Sequence, residues 1–414
     1  MTANLLEARI RAFKYYLTLV REAGRVYGAE PRKTLEALVL FDREWPQIRP
    51  LLESLLELAL ARLDVTLLCL DFFESGSALY DLRLTFKDRL THLKLAHNAA
   101  EHHGQNKTAG RLLRQIGWAQ FNLKDYESAM GSVSDALGIS KQFEDPANEC
   151  KCFGALGSIY RERGKYQLAF EAHSKAVELA RNVGNPKLEG EHLGNMGNDV
   201  RNLNRNHEAL TYYAEALAIH LKVGDRRSEG IRYGNIGLVC SSLSEFSKAQ
   251  FYLEKALDIA SELNDDRNRL FNLGNLANVH RKLGNVTQAV TLFEQAISVA
   301  QALHDLRYEG FWMGCLGVLY MDEKHYKDAE SFLQRALSIA VQIGDQRYAG
   351  THLSWLGDLY MTIGQLPKAR ECFERAVKFA EELEVASWIQ LRKAKIAKLD
   401  RLEKEASAPA PSQS

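Results

Sequence analysis

The stretch Leu193-Gly194-Asn195-Met196-Gly197-Asn198 returns as Leu273-Gly274-Asn275-Leu276-Ala277-Asn278, two steps of forty residues further on. Written in rows of forty from Arg111, the chain keeps the same residue types in the same columns over seven rows, with no insertion or deletion. One column reads Gly117, Gly157, Gly197, Gly237, Ala277, Gly317 and Gly357. A small residue at that place in a helix lets a neighbouring helix approach closely. Two further columns are wholly alanine: Ala129, Ala169, Ala209, Ala249, Ala289, Ala329, Ala369, and Ala136, Ala176, Ala216, Ala256, Ala296, Ala336, Ala376. Large apolar residues fill the column just before the glycines, from Ile116 and Leu156 to Leu316 and Leu356, and Tyr160, Tyr320 and Tyr360 follow in their rows.

Each row carries its own boundaries. Gly184-Asn185-Pro186, Gly224-Asp225, His304-Asp305 and Gly344-Asp345 set a helix-ending residue before an N-cap at one fixed place. Pro146 and Pro186 fall in the first helical turn, where a missing amide costs nothing. A second break at Gly164, Asn204, Ser244, Gly284 and Gly364 divides each row into two helices, A and B, joined by a tight turn.

This order of large, small, aromatic and twice alanine resembles the tetratricopeptide repeat signature from Arg111 to about Ser387. The forty-residue period exceeds the thirty-four of the commonest form. It is similar to the longer repeats of the LGN/Pins polarity scaffolds and kinesin light chains, which share the Leu-Gly-Asn motif. The resemblance implies an all-α fold, a right-handed superhelical solenoid of helical hairpins with the A helices lining a concave groove. It also implies a protein-protein interaction scaffold that binds a peptide or partner helix and catalyses nothing.

The flanks complete the expected organisation. Residues 1–70 form an N-terminal helical segment outside the period, and 71–110 a degenerate repeat that keeps Phe86, Ala96, Ala100 and Gly104 but has Ser77 and Arg89 in the small-residue columns. Seven repeats span 111–387, a basic capping helix 388–404, and a disordered tail 405–414. Phe41-Asp42-Arg43-Glu44-Trp45-Pro46-Gln47-Ile48 resembles the segment that joins the nucleotidase module to the repeats in bacterial STAND signalling ATPases. That likeness implies an alternative, a ligand- or peptide-sensing regulatory protein of a bacterial signalling system.

The A-helix columns nominate the binding residues. Two residues before the glycine column stand Asn195, Asn235 and Asn275. In related repeats an Asn here clamps the main chain of an extended ligand, its amide offering both donor and acceptor. One turn on lie Asn198 and Asn278, then Arg161, Arg201 and Arg281, which suit ligand carboxylates. Phe271, Phe311, Met321 and Trp355 suit apolar side chains, so an acidic peptide with apolar flanks fits best. The same residues also suit a bland role, with amides bonding between A helices and solvated arginines.

Other classes find little support. Lys and Arg number 53, as do Asp and Glu, so there is no overall field for nucleic acid or an anionic membrane. The N-terminus lacks the apolar core of a secretory signal, and charges interrupt the apolar run 51–73, which reads as core helix of a cytoplasmic protein. Cys150-x-Cys152 lacks the second pair a structural zinc needs. Gly157 to Gly164-Lys165 has the wrong spacing for a phosphate loop. His92, His97, His102 and His103 lack a third ligand and read as surface residues. No metal or cofactor is expected, and the oligomeric state is left open.

Overall fold

The computed structural model describes residues 3–26, 31–75, 85–383 and 386–407, and among them every regular element is a helix. Three helices open the chain, Ala3–Val26, Pro31–Ala59 and Leu63–Ser75, followed by Phe86–His102. Seven A and B pairs then follow, beginning with Asn106–Asn122 and Tyr126–Gln142 and ending with Gln346–Thr362 and Leu366–Glu382. The last helix, Ala386–Ser407, runs three residues into the expected tail; the rest of that tail, and Ser77, lie outside the described residues. Two compact units are present, Met1–Ser228 and Glu229–Ser414.

The alanine columns explain the hairpins. All fourteen alanines are completely buried, because each lies where A and B helices touch and a larger side chain would push them apart. The glycine column has one partner sixteen residues on, in the B helix of the same row. A Cβ on Gly117 would lie 2.5 Å from Val133, on Gly157 2.6 Å from His173, on Gly197 2.6 Å from Tyr213 and on Gly357 2.5 Å from Phe373.

A second seam joins one row's A helix to the next. In the first unit a Cβ on Gly154 would meet the ring of His192 at 2.4 Å. In the second unit Gly234 faces Asn272, Gly274 faces Trp312 and Gly314 faces His352 in the same manner. Bulk on one helix fills the slot that glycine leaves on the other.

The turns follow the expected chemistry. Asp145, Asn185, Asp225, Asp265, Asp305 and Asp345 each accept a hydrogen bond from the backbone N–H three residues on. The tight turns use left-handed backbone at Gly164, Asn204, Ser244, Gly284 and Gly364, and also at Lys124 and Lys324, which carry no glycine signal. Lys324, at φ 64°, pays a steric cost that glycine does not. Lys324→Gly is expected to stabilise the chain by about 1 kcal/mol, read as a rise in urea midpoint. An unchanged or lower midpoint would show that the Lys324 side chain contributes something the turn geometry does not reveal.

In the N-terminal unit, one apolar core gathers Phe13, Leu17, Ile48, Leu52, Phe72 and Phe73 with Leu93 and Leu112 of the following helices. His92, expected at the surface, is buried there, 3.6 Å from Glu53, and burial lowers its pKa. The run 51–73 contributes to this core, and no helix among the described residues is long and apolar enough to cross a membrane.

Candidate partner-binding surface

The A helices expose a narrow stripe. In the rows that carry the asparagines, half-exposed residues recur at 195 and 198, at 235 and 238, and at 275 and 278, with 201, 241 and 281 one turn on. All twelve candidate residues are half exposed.

In the first unit the stripe is polar and partly self-engaged. Arg161 Nη1 lies 3.4 Å from both Asn195 Oδ1 and Asp199 Oδ1. Asp199 is wholly buried and its Oδ2 lies 2.5 Å from Nδ1 of the equally buried His173. His173 occupies the B-helix place that is apolar in most rows; Asp199 supplies the partner its Nδ1 needs, and Arg161 in turn engages the same carboxylate. Asn198 Oδ1 accepts from the Tyr213 hydroxyl at 2.7 Å. Arg201 makes no ion pair among the described residues.

In the second unit, neither the Asn235 nor the Asn275 amide has a hydrogen-bond partner among the described residues. Asn278 Nδ2 donates to the Gly274 carbonyl in its own helix at 3.3 Å. Arg281 Nη1 is 2.6 Å from Asp322, which answers its charge within the chain. The aromatic candidates fall into two ring clusters. Phe271 meets Tyr308 edge-on at 4.5 Å, and Phe311 lies 5.1 Å from Tyr348 and 6.5 Å from Trp355. Arg307 sits over the Tyr348 ring at 5.2 Å. Met321 packs among apolar side chains of its own row and the next. Tyr308 and Tyr348 escaped the sequence reading, although they share one forty-residue column with Trp388.

Among the described residues no group of three or more His, Cys, Asp or Glu is placed to hold a metal ion. Cys150 and Cys152 are buried separately, and burial pushes each thiol up to about 11.

The repeat geometry has a counterpart in known families. A tetratricopeptide repeat model matches residues 153–219, 188–262, 266–340 and 311–382, together more than half of the chain. The chain belongs to the tetratricopeptide repeat family. As such it is a protein-interaction scaffold. No curated protein matches its sequence.

Solved structures share the fold at low identity. The apo form of RapI is 16% identical, covers 66% of this chain and 98% of its own, and has a TM-score of 0.57. A signal transduction ATPase with numerous domains and a tetratricopeptide repeat sensor, from Pyrococcus horikoshii, is 18% identical. It covers 87% of this chain and 54% of its own, with a TM-score of 0.56. Aspartyl phosphate phosphatase F from Bacillus subtilis is 14% identical, covers 97% of this chain and 95% of its own, and has a TM-score of 0.52.

Proposed function

We infer that the tetratricopeptide repeats bind an extended peptide segment of a partner protein along the A-helix stripe, without catalysing a reaction. The observation that carries this reading is the pair Asn235 and Asn275. Both amides are half exposed and unbonded among the described residues, in the one column that could grip a ligand's main chain whatever its sequence. Beside Asn275 the rings of Phe271, Tyr308, Phe311, Tyr348 and Trp355 offer apolar and aromatic contact. In the first unit Arg201 is available to a carboxylate, whereas Arg161 and Arg281 already face Asp199 and Asp322. An acidic segment with apolar flanks suits this chemistry. The sensing alternative uses the same stripe, its ligand then acting on a signalling partner.

The test is capture of partners from lysate by the wild type and by an Asn235→Ala, Asn275→Ala variant of equal helicity. Two lost backbone hydrogen-bond pairs are expected to weaken the captured complex about tenfold or more. Equal capture by both chains would mean that these amides serve the scaffold alone.

A further inference from the structure

The column that is small in nearly every row breaks its rule once. Gly154, Gly194, Gly234, Gly274, Gly314 and Ser354 occupy it, but the first row has Arg114. Elsewhere in this column Gly154, Gly234, Gly274 and Gly314 leave slots filled by the next A helix. Arg114 instead lines a cavity of about 340 Å³ in the first unit, together with Arg111, Gln115, Lys151, Glu74 and Asp145.

Arg114 is held in place rather than neutralised. Its Nε donates to Asn148 Oδ1 at 2.9 Å, Asn148 Nδ2 donates to Ser140 Oγ at 2.8 Å, and Ser140 Oγ donates to the Ala136 carbonyl at 2.7 Å. Asn148 and Ser140 are both buried, so this chain of bonds fixes the guanidinium plane. No carboxylate forms an ion pair with Arg114 or Lys151 among the described residues. Both carboxylates of the cavity pair directly with Arg111, which reaches Asp145 at 2.7 Å and Glu74 at 3.1 Å, while Asp145 acts on Arg114 and Glu191 on Lys151 without a direct ion pair. Burial, and then the neighbouring cations, lower the pKa of Lys151; burial above all lowers that of Arg114, and Arg89 and Arg111 add to it. Positive charge is therefore under-compensated here, and an anion would relieve it.

Charge and unused donors together select the anion. Among the lining residues Arg111, Arg114 and Lys151 stand against Glu74 and Asp145, an excess of one positive charge, while the Arg114 Nη groups, the Lys151 ammonium and the Gln115 amide have no acceptor among the described residues. A phosphate monoester carries about −1.5 to −2 at neutral pH and offers three acceptor oxygens, whereas a carboxylate carries one charge. We propose that this cavity binds a phosphoserine or phosphothreonine of the partner, with Arg114, Lys151 and the Gln115 amide as its donors. This rests on the reading that the A-helix faces hold a partner's peptide segment, and it makes that partner's phosphorylation the switch for binding.

The whole chain would be titrated calorimetrically, at fixed ionic strength, with a phosphoserine peptide of glycine and serine background, the same peptide carrying glutamate, and inorganic phosphate. The phosphopeptide is expected to bind at least tenfold tighter than the glutamate peptide. Lys151→Ala should weaken it tenfold or more, as should Arg114→Gln, each with its helicity retained. Affinity should rise from pH 5 to 7 as the phosphate takes its second charge. Equal affinity for the glutamate peptide, or no effect of Lys151→Ala, overturns the proposal. Binding of inorganic phosphate without the phosphopeptide also overturns it, in favour of a small anion. The Asn235→Ala, Asn275→Ala variant should keep its phosphopeptide affinity, so failure of the main-chain clamp and failure of the phosphate site are separately visible.

Discussion

Gly274→Ala is expected to destabilise the chain by about 3 kcal/mol, although it adds a single methyl group in a helix. The new Cβ would lie 2.3 to 2.5 Å from three atoms of the Trp312 indole. Trp312 cannot step aside, since it is 2% exposed and wedged against Phe311 at 4.7 Å and Phe293 at 6.2 Å. The two A helices cannot separate here without stripping the indole of the neighbours that bury it. Gly131→Ala is the control: nothing lies within 4 Å of its added methyl, so the helix should gain about 0.5–1 kcal/mol. The direct check is a double-mutant cycle in urea. Gly274→Ala with Trp312→Leu should be less destabilised than the sum of the singles, because the indole's removal vacates the space the methyl needs. Strict additivity would place the cost of Gly274→Ala somewhere other than this seam.

Acid should weaken the protein well before its carboxylates titrate. Burial pushes the His192 imidazole down to about 4, with His173 adding to the effect. Burial likewise pushes His352 down to about 4, partly opposed by Asp345. Neither ring nitrogen of either residue has a hydrogen-bond partner among the described residues. An unfolded histidine takes its proton near pH 6.5, whereas these folded ones refuse it until about pH 4. Below pH 6.5 the unfolded chain therefore binds protons that the folded chain does not, and stability falls with pH. The stabilisation is complete above pH 6.5, is lost between 6.5 and 4, and amounts to about 3 kcal/mol for each residue. Urea midpoints at pH 7, 5.5 and 4.5 would show the decline, and His352→Leu should flatten the part that belongs to the second unit. A variant with the wild-type slope would show that His352 gains its proton without opening the fold.

The hairpins were legible because their contacts are local and repeat. Glycine and alanine columns need no knowledge of the rest of the chain, and left-handed turns announce themselves as Gly164 or Asn204. Lys124 and Lys324 adopt the same backbone without the residue that normally signals it, so only their place in the column marks them. The buried polar residues were harder. His192, Asn272 and His352 look like surface residues in an amphipathic helix, yet each is at least 95% buried against a glycine 38 positions earlier. Comparing the two columns would have paired them. Candidate residues on the stripe were legible as positions, but their availability was not. Asp199 and Asp322 engage Arg161 and Arg281 from other helices, at separations of 38 and 41 residues.

The seams between successive A helices have a consequence for assembly. A chain of near-identical hairpins can fold with its rows out of step, a hairpin docking on the wrong neighbour, which is a characteristic failure of repeat proteins. The backbone period does nothing to prevent this, since every row has the same length. The keys differ, however: Asn272 for Gly234, an indole for Gly274 and an imidazole for Gly314. A slip of one row would set Trp312 in the slot shaped for Asn272, or leave a void where the indole belongs. The three joints of the second unit thus carry different addresses, and the order of those hairpins is written into side chains whose volumes cannot be exchanged.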